Sequence, residues 1–228
     1  MADRSEYLAY LRSRTKGNSG EYHPTRAPGV PWTPGAVRGD GEAPITDLPA
    51  RFLKELEAVG GHGAHVATGT QAREYVLDLA RRKEAKLLVR WDVPALRHLG
   101  ADTKLREGGT EVVVWRDLED FRDVAGRADI GLTTADWAVA ETGSIVVTTA
   151  PGQGRTATLL PPVHVAVVAA ERVVGTVEEA IEKYAAAGEA LPSNLAFHTG
   201  PSRSGDIEQS LTIGVHGPGE VHVVLVGG

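Results

Sequence analysis

From Ile45 onward, short apolar runs alternate with longer stretches whose apolar residues recur at helical spacing. No other feature of the chain narrows its fold so far. Phe52, Leu53, Leu56 and Val59 form one helical stripe, opened by Thr46 or Asp47 as a cap with Pro49 in the first turn, and closed by Gly60-Gly61. A short strand follows at 65–67, and Thr70 can cap a helix over 71–82. Residues 85–90 and 111–115 read as strands. Between them Asp92-Val93-Pro94 starts a brief helix that Gly100 stops, and Asp117 caps a helix over 118–125. The second half repeats the pattern. Residues 129–133 are extended, Thr133 or Thr134 caps a short helix through Ala140, 144–149 and 164–170 are strands, and a helix runs from Thr176 to about Ala187. Strands joined through helices pair in parallel. The expectation is an α/β fold: a mostly parallel sheet of about seven or eight strands with helices on both faces.

The chain has 228 residues, enough for one large α/β domain or a domain with an arm. Tyr7, Leu8 and Leu11 suit an amphipathic helix near the start. Residues 16–44 are so rich in Pro and Gly that neither a helix nor a central strand can form there. The division expected is therefore an N-terminal helix and arm over 1–44, and a domain over 45–228. Such an arm can anchor through Trp32 or reach a neighbouring subunit, which leaves a homo-oligomer open. Net charge is −6, which argues against general binding to nucleic acid or anionic membrane. No apolar run approaches the roughly 18 residues of a membrane span, and the charged N-terminus has no apolar signal core, so a cytoplasmic location is expected. There is no cysteine. Disulfides, thiolate nucleophiles and Cys-held zinc or iron–sulfur clusters are excluded within this chain, so any redox centre belongs to a partner or a dissociable cofactor.

Two stretches carry concentrated polar chemistry. In the first, the apolar run Leu195-Ala196-Phe197 breaks at Gly200-Pro201, and Ser202, Arg203, Ser204 and Asp206 lead toward a segment, 207–211, that can form a few turns of helix. Backbone N–H groups at a helix start favour anions, the serines add donors, and Arg203 can grip a carboxylate or phosphate with two parallel bonds. If the last strand, 221–226, neighbours the 195–197 strand, His216 and Gly217 return to the same place, and His216 can supply a proton. The plainer alternative leaves these loops as turns, with Arg203 paired to Asp206 or Glu208 on the surface.

The second stretch is Glu141-Thr142-Gly143-Ser144. A carboxylate at the expected junction of a short helix and a buried strand is costly unless hydrogen-bonded or used. Glu141 is expected to orient a polar ligand or accept a proton, with Thr142, Gly143 and Ser144 as ligand-binding neighbours. The alternative pairs Glu141 with Arg155 or has it cap the turn. Other patterns are weaker. Gly152-Gln153-Gly154-Arg155-Thr156-Ala157 fits a dinucleotide fingerprint, but Pro161-Pro162 follow too soon for a helix to open. Gly200-Pro201-Ser202-Arg203-Ser204 lacks the second glycine of a nucleophile elbow. The eight histidines have no metal-binding spacing, and no metal site is expected.

ADWAVAETGSIVV (135–147), LLPPVHVAVV (159–168) and TGPSRSGDIEQSLTIGVHGPGEVHVVL (199–225) together resemble the LUD-domain, lactate-utilisation protein C family. The third segment is the most specific, because G-P-S-x-[ST]-x-D-I-E followed by G-V-H-G-P is an uncommon combination of turns. The resemblance implies a fold similar to the NagB, ribose-5-phosphate isomerase and CoA-transferase group. It also implies a part in oxidising L-lactate to pyruvate beside iron–sulfur partner proteins, which would hold the clusters this cysteine-free chain lacks. The implied fold leaves two other readings open: an independent CoA-transferase-like or sugar-phosphate isomerase-like enzyme, and a non-catalytic regulatory module.

Overall fold

The computed structural model describes residues 47–115, 121–186, 192–205, 211–214 and 216–227. The expected N-terminal helix and the Pro/Gly-rich arm lie outside the described residues, as do Asp117 and Asp206.

Helix α1 (Leu48–Ala58) opens where Asp47 accepts a hydrogen bond from Ala50 N at 3.0 Å. Strand β1 (His62–Val66) follows. Helix α2 (Gly69–Arg82) is capped by Thr68, not Thr70, because Gln71 three residues on closes a capping box with Thr68. Strand β2 (Leu87–Arg90) leads into α3 (Pro94–Leu99), which Gly100 ends in the left-handed conformation. The sequence reading missed α4 (Asp102–Glu107). Next come β3 (Glu111–Val114), α5 (Phe121–Arg127) and β4 (Ile130–Thr134). Beyond them lie β5 (Trp137–Val139), β6 (Ser144–Thr148), α6 (Thr156–Leu159), β7 (Val163–Ala169), β8 (Val173–Val174) and α7 (Val177–Ala186). The last strands are β9 (Leu195–Thr199), β10 (Arg203–Gly205), β11 (Leu211–Ile213) and β12 (Glu220–Val226).

The main sheet has six strands in the order β1-β12-β7-β4-β2-β3, all parallel. Register separates its faces. Gly131, His164 and Val221 align on one face, and Leu132, Val165 and His222 on the other. A Cβ on Gly131 would sit 1.9 Å from the Ala157 carbonyl oxygen, so α6 packs on the first face. Tyr75 of α2 meets His222 on the second. Helices therefore cover both faces, as the alternation predicted.

The single sheet expected is in fact three among the described residues, the smallest being the antiparallel pair β10 and β11. A second sheet has the order β8-β5-β6-β9, with β5, β6 and β9 antiparallel in turn. Residues 137–139, read as helix from sequence, form one of its strands. They alternate with period two: Ala138 and Ala140 join the main core, while Trp137 and Val139 pack toward α7 with Val146, Val174 and Ala180. Burial on both sides of a strand outweighs the helix propensity of Ala-rich sequence.

Candidate functional site

The main sheet is open and parallel. Its strand order reverses between β2, whose chain moves outward to β3, and β4, whose chain moves inward to β7. Ligands in such sheets bind outside the carboxyl ends of strands at that reversal. A cavity of about 150 Å³ lies there, beside Trp91, the residue after β2. Trp91, Val147, Leu159 and Ala196 supply apolar wall; Thr148, Arg155, Thr158, Asn194 and His198 supply polar groups. The wall is built from both sheets and α6.

Trp91 is held from three sides. Its backbone N–H donates to Leu132 O at 3.2 Å, and its indole N–H to Gly154 O at 2.9 Å. Its carbonyl accepts from buried Arg90, whose guanidinium forks onto Asp102 at 2.9 Å and 2.6 Å. Two of the polar wall groups are also committed. Thr148 donates to Asp136 at 2.6 Å, and Thr158 to the Arg155 carbonyl at 2.8 Å. Asp136 also accepts from Tyr184 at 2.8 Å; burial, then the Asp136 charge, push the Tyr184 phenol upward, so it stays a donor. The side chains of Arg155, Asn194 and His198 make no hydrogen bond within the described residues. Donors without partners among the described residues thus line the cavity. Burial lowers the His198 pKa and favours its neutral ring. Behind it, 6.0 Å between centroids, lies fully buried His164, whose Nε2 meets Thr133 Oγ1 at 2.8 Å and whose Nδ1 has no partner within the described residues.

The glycine-rich segment 152–157 borders this cavity in an unexpected way. The prolines were expected to forbid a helix, yet α6 forms one turn that closes with Leu160 N on Thr156 O at 3.0 Å, just before Pro161. Proline bars a helix interior, not a turn that ends ahead of it. Gly154 makes room for the Trp115 ring, which would lie within 1.9 Å of a Cβ there, so the ring occupies the approach a pyrophosphate would need.

The residues singled out from sequence sit elsewhere. Glu141 lies in the β5–β6 turn, not at a helix end, and its Oε1 accepts from Val177 N at 2.7 Å, capping α7. Thr142 donates to Ser144 at 2.8 Å, and the Ser144 hydroxyl meets Thr199 at 2.7 Å, tying the turn to β9. Gly143 and Gly200 both have positive φ and press on the last turn of α1. Arg203 opens β10, which pairs with β11, so no helix starts at 203–205. Its Nη2 donates to Val59 O at the end of α1. The last strand pairs with β1 and β7, not β9. The two loops meet all the same: Ser202 N donates to Pro218 O at 2.9 Å, Gly214 N to Ser202 O at 3.0 Å, and Gly217 packs on Ser202. His216 is exposed. Among the described residues, Glu141 thus meets α7, and Gly143, Gly200 and Arg203 meet the end of α1; the side chains of Ser204 and Asp206 lie outside the described residues. Sequence reasoning missed Arg155, Asn194 and His198 because two segments about 40 residues apart bring them together. The Gly152–Ala157 motif was the available signal for Arg155.

Fold and crevice define an open α/β protein with a small, donor-lined cavity at a strand reversal. Residues 49–226 match the LUD domain, and the chain belongs to that family. It is 31% identical over 169 residues to "Lactate utilization protein C" of Geobacillus sp. (strain WCH70), an alignment covering 70% of each chain. It is 37% identical over 139 residues to the protein of that name from Halalkalibacterium halodurans, covering 59% of this chain and 60% of the relative. The crystal structure of a DUF162 family protein from Deinococcus radiodurans shares the fold, with TM-score 0.59 and 23% identity over 81% of this chain and 100% of that one. Among the described residues, no helix is long and apolar enough to cross a membrane.

Proposed function

We propose that this chain acts in lactate utilisation and that the crevice binds a small monocarboxylate such as lactate or pyruvate. The carrying observation is the cavity itself: about 150 Å³, lined by Arg155, Asn194 and His198, whose side chains make no hydrogen bond among the described residues. Pockets for drug-sized ligands run from about 300 to 1,000 Å³. This one suits a molecule of a few heavy atoms and cannot bury a nucleotide. Arg155 has no carboxylate partner among the described residues and presents a fork suited to a carboxylate. The relatives named lactate utilization protein C support the choice of anion. Oxidising lactate to pyruvate removes two electrons, and this chain has no cysteine to hold an iron–sulfur cluster. We therefore assign electron acceptance to partner iron–sulfur proteins and substrate handling to this chain.

Calorimetric titration with L-lactate and pyruvate tests the binding half. Arg155→Lys keeps the charge and loses the fork, so affinity should fall about tenfold, or about 1.4 kcal/mol. Growth of a deletion strain on L-lactate, complemented with wild type and Arg155→Ala, tests the pathway half. Absence of binding by the wild type sinks the ligand; growth restored by Arg155→Ala as by wild type sinks the site.

A further inference from the structure

A second cluster lies at the opposite edge of the main sheet, where strands begin. His62 opens β1, Glu220 opens β12, and parallel pairing sets His62 beside His222. One ligand atom from each of His62, Glu220 and His222 lies within 4.8 Å of the others. The two imidazoles stack, centroids 4.8 Å apart and planes at 29°. His222 is buried, and its Nδ1 meets the Tyr75 hydroxyl at 2.8 Å, which leaves Nε2 facing Glu220 Oε2 at 3.4 Å. Lys83 donates to Oε1, the other carboxylate oxygen.

We propose that His62, Glu220 and His222 form a binding site for a divalent transition-metal ion, with zinc the best fit. Two imidazoles and one carboxylate are a donor set that suits zinc, and three protein ligands leave one coordination position open to water or a small ligand. The surroundings match those of metal ligands. Tyr75 fixes the second nitrogen of His222, and Lys83 holds the oxygen of Glu220 that faces away from the imidazoles. Bonds of about 2.0–2.2 Å require the three atoms to close in, by roughly an ångström. His62 is exposed and can swing to do so. The rival arrangement is a plain ion pair of Lys83 with Glu220, extended to His222. It leaves His62 only its stacking contact with His222 and no ion to hold, so cobalt binding by a His62 variant separates the two. The site shares no residue with the crevice and does not rest on the lactate reading.

The full chain, metal-free and without an added histidine tag, is titrated with Co²⁺ at neutral pH and then with Zn²⁺. One Co²⁺ per chain should bind, with visible d–d bands of a four- or five-coordinate ion, and Zn²⁺ should displace it. His62→Ala and Glu220→Gln should each weaken Co²⁺ at least tenfold, whereas exposed His98→Ala should leave it unchanged. Circular dichroism checks that each variant is folded. The proposal is overturned if the wild type binds no Co²⁺, if His62→Ala binds it as the wild type does, or if His98→Ala weakens it equally.

Discussion

Gly143 has φ +65°, and a Cβ there would lie 2.3 Å from Leu56 N and 2.5 Å from the Glu55 carbonyl carbon. Both neighbours are helix backbone and cannot turn aside. Gly143→Ala should cost about 3 kcal/mol or more in urea unfolding, from the left-handed conformation and the clash together. Gly126, in α5, has nothing within 4 Å of its Cβ position, and Gly126→Ala should instead gain roughly 0.5–1 kcal/mol. Similar effects of the two would remove the close approach to α1 as the reason for Gly143. His164 makes a pH prediction. Burial, with smaller effects of His198 and His222, lowers its pKa from 6.5 to about 3. Between those values the unfolded chain binds a proton that the folded chain refuses, so stability is full above pH 6.5 and falls with pH below it. One such group gives a slope of up to about 1.4 kcal/mol per pH unit. Urea midpoints between pH 5 and 6.5, above most carboxylate titration, should show it; burial lowers the pKa of His198 and His222 as well, so they share the slope, and His164→Gln should reduce it without abolishing it. An unchanged slope in the variant would clear His164.

At the scale of elements, the β5–β6 turn and α7 are joined through one carboxylate. Val177 N, one of the unpaired donors at the start of α7, is satisfied by Glu141. Thr176 satisfies one more, accepting from Glu179 N at 3.1 Å, and the Glu179 carboxylate accepts from Gly175 N, just ahead of the helix, at 2.7 Å. Glu141→Ala should cost about 1 kcal/mol, and Glu141→Gln, which keeps an acceptor, less. A proton-accepting Glu141 gives a different pattern: Glu141→Gln would abolish growth on lactate while thermal stability stayed near wild type. The same elements show where sequence was readable. Asp47, Pro49 and Gly100 act locally, and their caps were legible. The residues of β5 were misread because their partners, β6, β8 and α7, come later in the chain.

For the whole molecule, the crevice depends on two sheets meeting. Trp91 comes from the main sheet, Thr148, Asn194 and His198 from the second sheet and its flanking loop, and Arg155 and Thr158 from the connection between β6 and β7. A ligand there bridges all three and should stabilise the fold as a unit. At 100 times its dissociation constant, lactate should add about 2.7 kcal/mol, or roughly 5–10 °C in melting temperature for a domain of this size. Arg155→Ala should abolish the shift. Equal shifts in both proteins would place lactate elsewhere.

The order of residues was enough to determine the α/β class, the parallel main sheet, the starts of α1, α3 and α7, and the family, because caps, stripes and turns act over a few residues. Tertiary structure decided the rest. It put β5 in a second sheet apart from the main one, since burial on both sides of β5 depends on distant partners. It put β12 between β1 and β7, away from β9, and with that gave Arg203 to the end of α1. It also assembled the crevice, where residues 91, 155 and 198 meet, and the cluster of His62 with Glu220 and His222, about 160 residues apart in sequence. No local spacing encodes such meetings; they follow from strand register, which forms only when the whole sheet does.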